Sequence, residues 1–314
     1  MGLYSLTYLC CAVFVIAFAT RIYRQFTLPV HLRWELYPVK HESSEKANYG
    51  GSYMEELNWW EKKRRRYFWN EIKYMIPEIL FLRGVWNENR RLWWVSFPFH
   101  FALYMLIGTL VLLFFGAIFM VFGGTVSTGS SVILSLIYYL TILCGFLALT
   151  LGALGTAGLL YRRFFDPELK NYSSLADYFN LFIFLIFFIF GLFAWLFTDL
   201  DFAGARAYLY GLLTLGGQPE GHTGSQGFLG QISIVIASFL IGYIPLTHMS
   251  HMFMKYFIYH SVRWEDSPNL KGSKIETAIL ENLGFKPTWA SAHIGADGKK
   301  SWAEITTSGS KEAK

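Results

Sequence analysis

The chain has 314 residues, of which 54% are hydrophobic, 19% aromatic and only 16% charged. Soluble domains carry charge on about a quarter of their residues, so this composition excludes an ordinary soluble protein and indicates an integral membrane protein. The net charge of +5 gives no reason to invoke nucleic acid, because the basic residues flank apolar runs and the 199–227 loop leans acidic.

A helix needs about 20 apolar residues to cross a bilayer. Residues 3–20, 92–161, 178–198 and 221–254 are free of Asp, Glu, Lys and Arg, and the second of these runs is long enough to cross twice. Its break falls at Gly123, Gly124 and the Ser/Thr/Gly cluster through Ser131, where turn-forming residues replace the Leu/Phe pattern. The pattern therefore predicts five spans, at about 3–21, 93–122, 131–161, 177–198 and 228–255. Ala17-Phe18-Ala19 has the look of a signal-peptide cleavage site. However, no positive charge precedes the first apolar run, and Arg21 and Arg24 follow it, which predicts an uncleaved helix.

Between the first two spans, residues 22–92 are too long for a simple connection and too aromatic for a disordered linker. From Tyr53 to Trp94, apolar residues recur at helical spacing (Tyr67, Phe68, Ile72, Met75, Ile76, Ile79, Leu80), opposed to the basic run from Lys62 to Arg66. Such a segment suits either the membrane surface, with its bases on anionic headgroups, or docking to a cytoplasmic partner. The chain thus divides into a first helix (1–21), a cytoplasmic amphipathic insertion (22–92), a four-helix membrane bundle (93–257) and a polar cytoplasmic tail (258–314). In the tail, Trp289 and Trp302 predict local order and the residues from Ser308 predict disorder.

Lys and Arg set the orientation. Of the 27, all but Arg206 fall in the segment between the first two spans, the 162–177 loop or the tail. By the positive-inside rule that side is cytoplasmic, leaving the N-terminus and the 123–131 and 199–227 loops outside the inner membrane.

Three of the eight histidines lie in apolar spans, where an imidazole is costly and functional by default. His100 is eight residues past Leu92, and His251 is four residues before Lys255, so both belong to the cytoplasmic half of antiparallel helices. Two imidazoles at one depth on facing helices are suited to clamping a haem iron, and helix bundles build cofactor sites in this way. The competing account is that each histidine hydrogen-bonds to a neighbouring helix. His248 is three residues from His251 and shares its face. Only one of the two can be an axial ligand, leaving the other for a haem propionate or a quinone's proton. His31, His41, His222, His260 and His293 fall in loops, where an exposed imidazole is ordinary. Cys10, Cys11 and Cys144 form no metal-binding spacing.

Two local patterns carry a family resemblance. Phe97-Pro98-Phe99-His100 opens the second span, and Pro245-Leu246-Thr247-His248-Met249-Ser250-His251 closes the fifth. The chain resembles the cytochrome b (gamma) subunits of respiratory nitrate reductase. That resemblance maps the haem-ligating residue of the last span onto His251 and a basic position onto His248. A second likeness, in Pro29-Val30-His31-Leu32-Arg33-Trp34-Glu35-Leu36-Tyr37-Pro38-Val39 and Tyr49-Gly50-Gly51-Ser52-Tyr53, is similar to the cytochrome b subunits of Tmc-type transmembrane redox complexes of sulfate reducers. It implies a cytoplasmic iron-sulfur partner resembling the catalytic subunit of heterodisulfide reductase, and a periplasmic multihaem cytochrome c. The nitrate reductase pattern also has a second histidine pair for an outer haem, but Leu110 and Ser233 stand at those positions here, so one haem b is expected.

The combined expectation is an electron-transfer subunit linking menaquinone to these partners. Haem iron would be held by His100 and His251. His248 would serve as a second-sphere, quinone-site or alternative ligand residue, and Lys255 and Arg263 as propionate or partner contacts. A haem-free membrane anchor is the competing class. A transporter is disfavoured because helices 2 to 4 are nearly pure Leu, Phe and Ile, with no polar path.

Overall fold

The computed structural model describes residues 2–27, 43–49, 51, 55–58, 61–62, 67–219, 227–251, 271–291 and 294–308. They form two units, one of residues 1–15 and 75–246, the other of residues 16–74 and 247–314. Among the described residues, five helices are long and apolar enough to cross a membrane.

The first unit is the bundle. It contains the start of α1 (Gly2–Thr27), the end of α3 (Phe68–Phe81), α4 (Arg83–Glu88), α5 (Arg90–Val121), α6 (Val132–Phe165), α7 (Pro167–Tyr172), α8 (Leu175–Thr198), α9 (Ala203–Leu213) and α10 (Gly227–Tyr243). α5 and α6 pack together most extensively, and α6 also packs on α8. Membrane helices gain little from hydrophobic burial and approach closely through small residues. A Cβ on Gly155 of α6 would lie 2.5 Å from the backbone nitrogen of Phe99, and one on Gly152 would lie 2.3 Å from the ring of Phe188. Buried hydroxyls in the spans are satisfied locally: Thr109, Thr141 and Thr156 donate to the carbonyls of Met105, Ile137 and Gly152 at 2.8, 2.6 and 2.6 Å.

The predicted break at Gly123 is a tight helix end. Gly123 adopts φ 81°, and Gly124 donates to the Phe119 carbonyl at 2.8 Å, the closure a left-handed glycine permits. At the opposite end of the bundle, Asp177 accepts from the backbone nitrogen and hydroxyl of Ser174, capping α8.

Two expectations need correction. The predicted 199–227 loop contains α9, whose first amides are held by acids: Asp199 accepts from Gly204 and Ala205, each at 2.9 Å. The last span also does not run as one α-helix to residue 255. α10 ends at Tyr243 and gives way to 3₁₀ turns at Ile244–Leu246 and His248–Ser250. Pro245 has no N–H to continue the ladder, and Thr247 between the turns is extended.

In the second unit, α2 (Ser44–Tyr49) is tied to the insertion by Lys46, which pairs with Glu56 at 2.5 Å. Lys46 and Lys62 hold the Glu56 carboxyl below its ordinary value. The tail forms α11 (Lys274–Gly284), a two-residue antiparallel pairing of β1 (Ala290–Ser291) with β2 (Ala296–Asp297), and α12 (Trp302–Ser308). Trp289 and Trp302 meet edge-to-face at 5.6 Å, so the two tail tryptophans order each other. The expected disorder after Ser308 lies outside the described residues.

Candidate functional site

His100 lies ten residues into α5, about 15 Å from Arg90 along the axis. Its neighbour Phe99 is buried against α6 at Gly155 and meets Phe184 of α8 edge-to-face at 5.4 Å. The backbone is thereby fixed one residue before the imidazole. His100 itself is half-buried. Its Nδ1 lies 2.8 Å from the Ser96 carbonyl and 3.3 Å from the Ser96 hydroxyl. A carbonyl can only accept, so Nδ1 donates, which leaves Nε2 as the ring nitrogen through which a metal would be held.

His248 and His251 belong to the second unit. Thr247 Oγ1 accepts from the Met249 amide at 3.2 Å, and Ser250 Oγ donates to the Thr247 carbonyl at 2.9 Å. Ser250 is buried and also accepts from Arg21 Nη1 at 2.9 Å. His251 Nδ1 lies 3.2 Å from the His248 carbonyl, so Nδ1 donates here as well. Both histidines are exposed, whereas the sequence predicts them on the inward face of a continuous helix. The turn that Pro245 imposes accounts for the difference. Sequence reasoning missed Arg21 as the brace of this turn. Its only sequence signal is a basic residue directly after the first apolar run.

Taken each within its own unit, His100 and His251 have the chemistry of a haem ligand. Among the described residues, no group of three or more His, Cys, Asp and Glu could hold a metal ion by itself, while His100 and His251 each donate from Nδ1 to a backbone carbonyl. Among the described residues, two buried donors at the basic end of the bundle have no hydrogen-bond partner: Arg162 Nη1 near the end of α6, and Asn180 Nδ2 in α8. Arg162 Nη2 pairs with Asp166 at 3.3 Å, and Asn180 Oδ1 accepts from Tyr243 at 2.8 Å. Each side chain is thus held with a donor to spare, as a propionate carboxylate requires. Neither was singled out from sequence. The expected contacts Lys255 and Arg263, together with His222, lie outside the described residues.

The other half of the bundle differs. Leu110 and Ser233 both line a cavity of about 220 Å³, with Leu106, Leu113, Phe187 and Trp195 among its apolar walls. None of the lining residues is His, Cys, Met or Lys. Ser233 donates to its own helix at Leu229, 2.9 Å away. One wall carries linked hydroxyls: Thr7 Oγ1 is 2.7 Å from both Tyr208 and Ser238, and Tyr208 donates to the Leu3 carbonyl at 3.1 Å. Nearby on α9, Arg206 is 2% exposed, and its Nε and Nη2 have no hydrogen-bond partner among the described residues. Burial lowers the pKa of this guanidinium, and Asp201 and Asp199 partly offset the effect.

A family model described as the nitrate reductase gamma subunit matches residues 85–265, more than half of the chain and all of the region from α5 through His251. No curated protein and no solved structure matches. With this match over more than half of its length and five membrane-length helices among the described residues, the chain belongs to the nitrate reductase gamma subunit family, the haem b-binding membrane cytochrome b subunits of respiratory complexes.

Proposed function

We propose that this chain carries electrons through one haem b held by His100 and His251, between menaquinone and a cytoplasmic iron-sulfur subunit resembling the catalytic subunit of heterodisulfide reductase. A periplasmic multihaem cytochrome c is the partner on the opposite side. The observation that carries the reading is the Nδ1 contact of His100 with the Ser96 carbonyl, which orients Nε2 as a ligand within a helix that has no charged residue from Leu92 to its end at Val121.

Haem supplies a one-electron ferric/ferrous couple when bound. The protein's part is to hold and tune it. His100 and His251 would hold the haem iron. His248 would act in the second sphere, its backbone carbonyl accepting a hydrogen bond from His251 Nδ1. Arg162 and Asn180 offer donors to the propionates. A quinone needs an apolar slot with hydrogen-bonding groups at its edge, and the Thr7, Tyr208 and Ser238 hydroxyls on the wall of the cavity beside Leu110 and Ser233 meet that description. The basic end of the bundle faces the cytoplasm in this reading, following the Lys and Arg distribution.

A reduced-minus-oxidised optical spectrum of the purified chain tests the proposal. A bis-imidazole b-type spectrum is expected. A chain with full helicity and no haem absorbance would instead establish a haem-free anchor.

A further inference from the structure

The last turn of α3 lies along the face of α5 that carries His100, and the site described above makes no use of it. Trp93, Phe97, His100 and Tyr104 follow one another at intervals of four, three and four residues, so they form one stripe on α5. Both ends of that stripe reach the same short piece of chain. Trp93 Nε1 donates to the Phe81 carbonyl at 2.8 Å, and the Tyr104 hydroxyl donates to the Ile79 carbonyl. Long helical side chains slant toward the N-terminus, which carries the Tyr104 hydroxyl back along the stripe toward the level of His100.

The α3 turn is available for this because its own ladder stops. Leu82 adopts a left-handed φ of 51°, and the final carbonyls of a helix have no intrahelical donor. The chain then reverses, with Gly84 donating to the Glu78 carboxylate at 2.8 Å. Trp93 is locked in turn. It stacks on Phe97 at 4.5 Å and 7°, and meets Trp86 edge-to-face at 4.7 Å, with Arg90 lying over the Trp86 ring.

We propose that the last turn of α3 is a wall of the haem pocket, clamped by Trp93 and Tyr104 as positioning residues on either side of His100, and that it keeps water from the edge of the haem. The inference rests on His100 being a haem ligand. A ferric haem carries more positive charge than a ferrous one, so excluding water favours the reduced form and raises the midpoint potential. Loosening the wall lowers it.

The test uses the full chain purified with its haem, as Tyr104→Phe, Trp93→Phe and the double variant. Tyr8→Phe is the control, because its hydroxyl also donates to a backbone carbonyl, that of Leu212, in the other half of the bundle. Both clamp variants are expected to show a lower midpoint potential and faster oxidation of ferrous haem by ferricyanide, with the double variant shifted furthest and Tyr8→Phe unchanged. Loss of haem from Tyr104→Phe at unchanged helicity would equally place the turn in the pocket. If the clamp variants lose only thermal stability and keep the wild-type potential and oxidation rate, the turn is a packing element and the inference is wrong. A wild-type chain without haem would instead remove the parent reading.

Discussion

The two halves of the α5 to α10 bundle use similar helices for different ends. In the basic half, His100 is set by Ser96, and two buried donors at Arg162 and Asn180 have capacity left over. In the other half, ten residues further along α5, Leu110 stands where a two-haem relative needs an imidazole, and Ser233 turns its hydroxyl to its own helix. One half holds a half-buried histidine and buried donors, the other an apolar cavity with a hydroxyl-bearing wall. The contrast teaches that membrane helices of nearly uniform hydropathy acquire their chemistry from a few polar substitutions whose backbone or side-chain partners aim them.

The largest effect expected from this asymmetry is in the basic half. His100→Ala or His251→Ala abolishes the haem b absorbance, whereas His31→Ala and His293→Ala retain it. Spectra of the four variants check this, and a full bis-imidazole signal in both core variants would refute the ligand assignment. Next comes stoichiometry. A pyridine haemochrome assay is expected to return one haem per chain, and a value of two would mean that the half lined by Leu110 and Ser233 has a ligand source beyond its lining residues.

Gly155→Leu connects packing to the site. Its side chain collides with the Phe99 backbone, one residue from His100. Overpacking of this kind costs about 1–3 kcal/mol or more, so thermal unfolding in detergent is expected at lower temperature, together with reduced haem content. Subtler still is Arg162→Met. It removes a cation from the basic end and with it some stabilisation of a propionate, so haem is retained while the midpoint potential falls. An unchanged potential would show that Arg162 serves only Asp166. The smallest effect concerns the insertion. Reversing charge at Arg64, Arg65 and Arg66 is expected to weaken co-purification of a cytoplasmic iron-sulfur subunit while haem content holds. Unchanged recovery at moderate salt would favour a loop resting on headgroups.

Much of the scaffold was legible because membrane burial writes itself into composition. The four spans predicted at 3–21, 93–122, 131–161 and 177–198 correspond to α1, α5, α6 and α8 within a few residues at most ends, and the glycine pair at 123–124 ends α5 as its turn chemistry requires. The fifth span was misjudged at its end. Apolar composition continues past Pro245, but the missing N–H of that proline and the extended Thr247 turn the chain into 3₁₀ geometry. α9 was missed because its 11 residues are too short for a span signal and show no strong amphipathic period.

The sequence by itself determined the membrane class, the number of spans, the segregation of Lys and Arg, and the isolation of His100 in hydrocarbon, since each follows from local composition and the length needed to cross a bilayer. Only the tertiary structure decided which polar groups have partners. Thr7 meets Ser238 across 231 positions of chain, Arg21 braces Ser250 across 229, and Tyr104 reaches back to Ile79. Those pairings, like the burial of Arg206 and the unpaired donors of Arg162 and Asn180, arise from helix azimuth and packing between residues far apart in sequence. No hydropathy pattern encodes them, because it records how apolar a residue is and not which neighbour it will face.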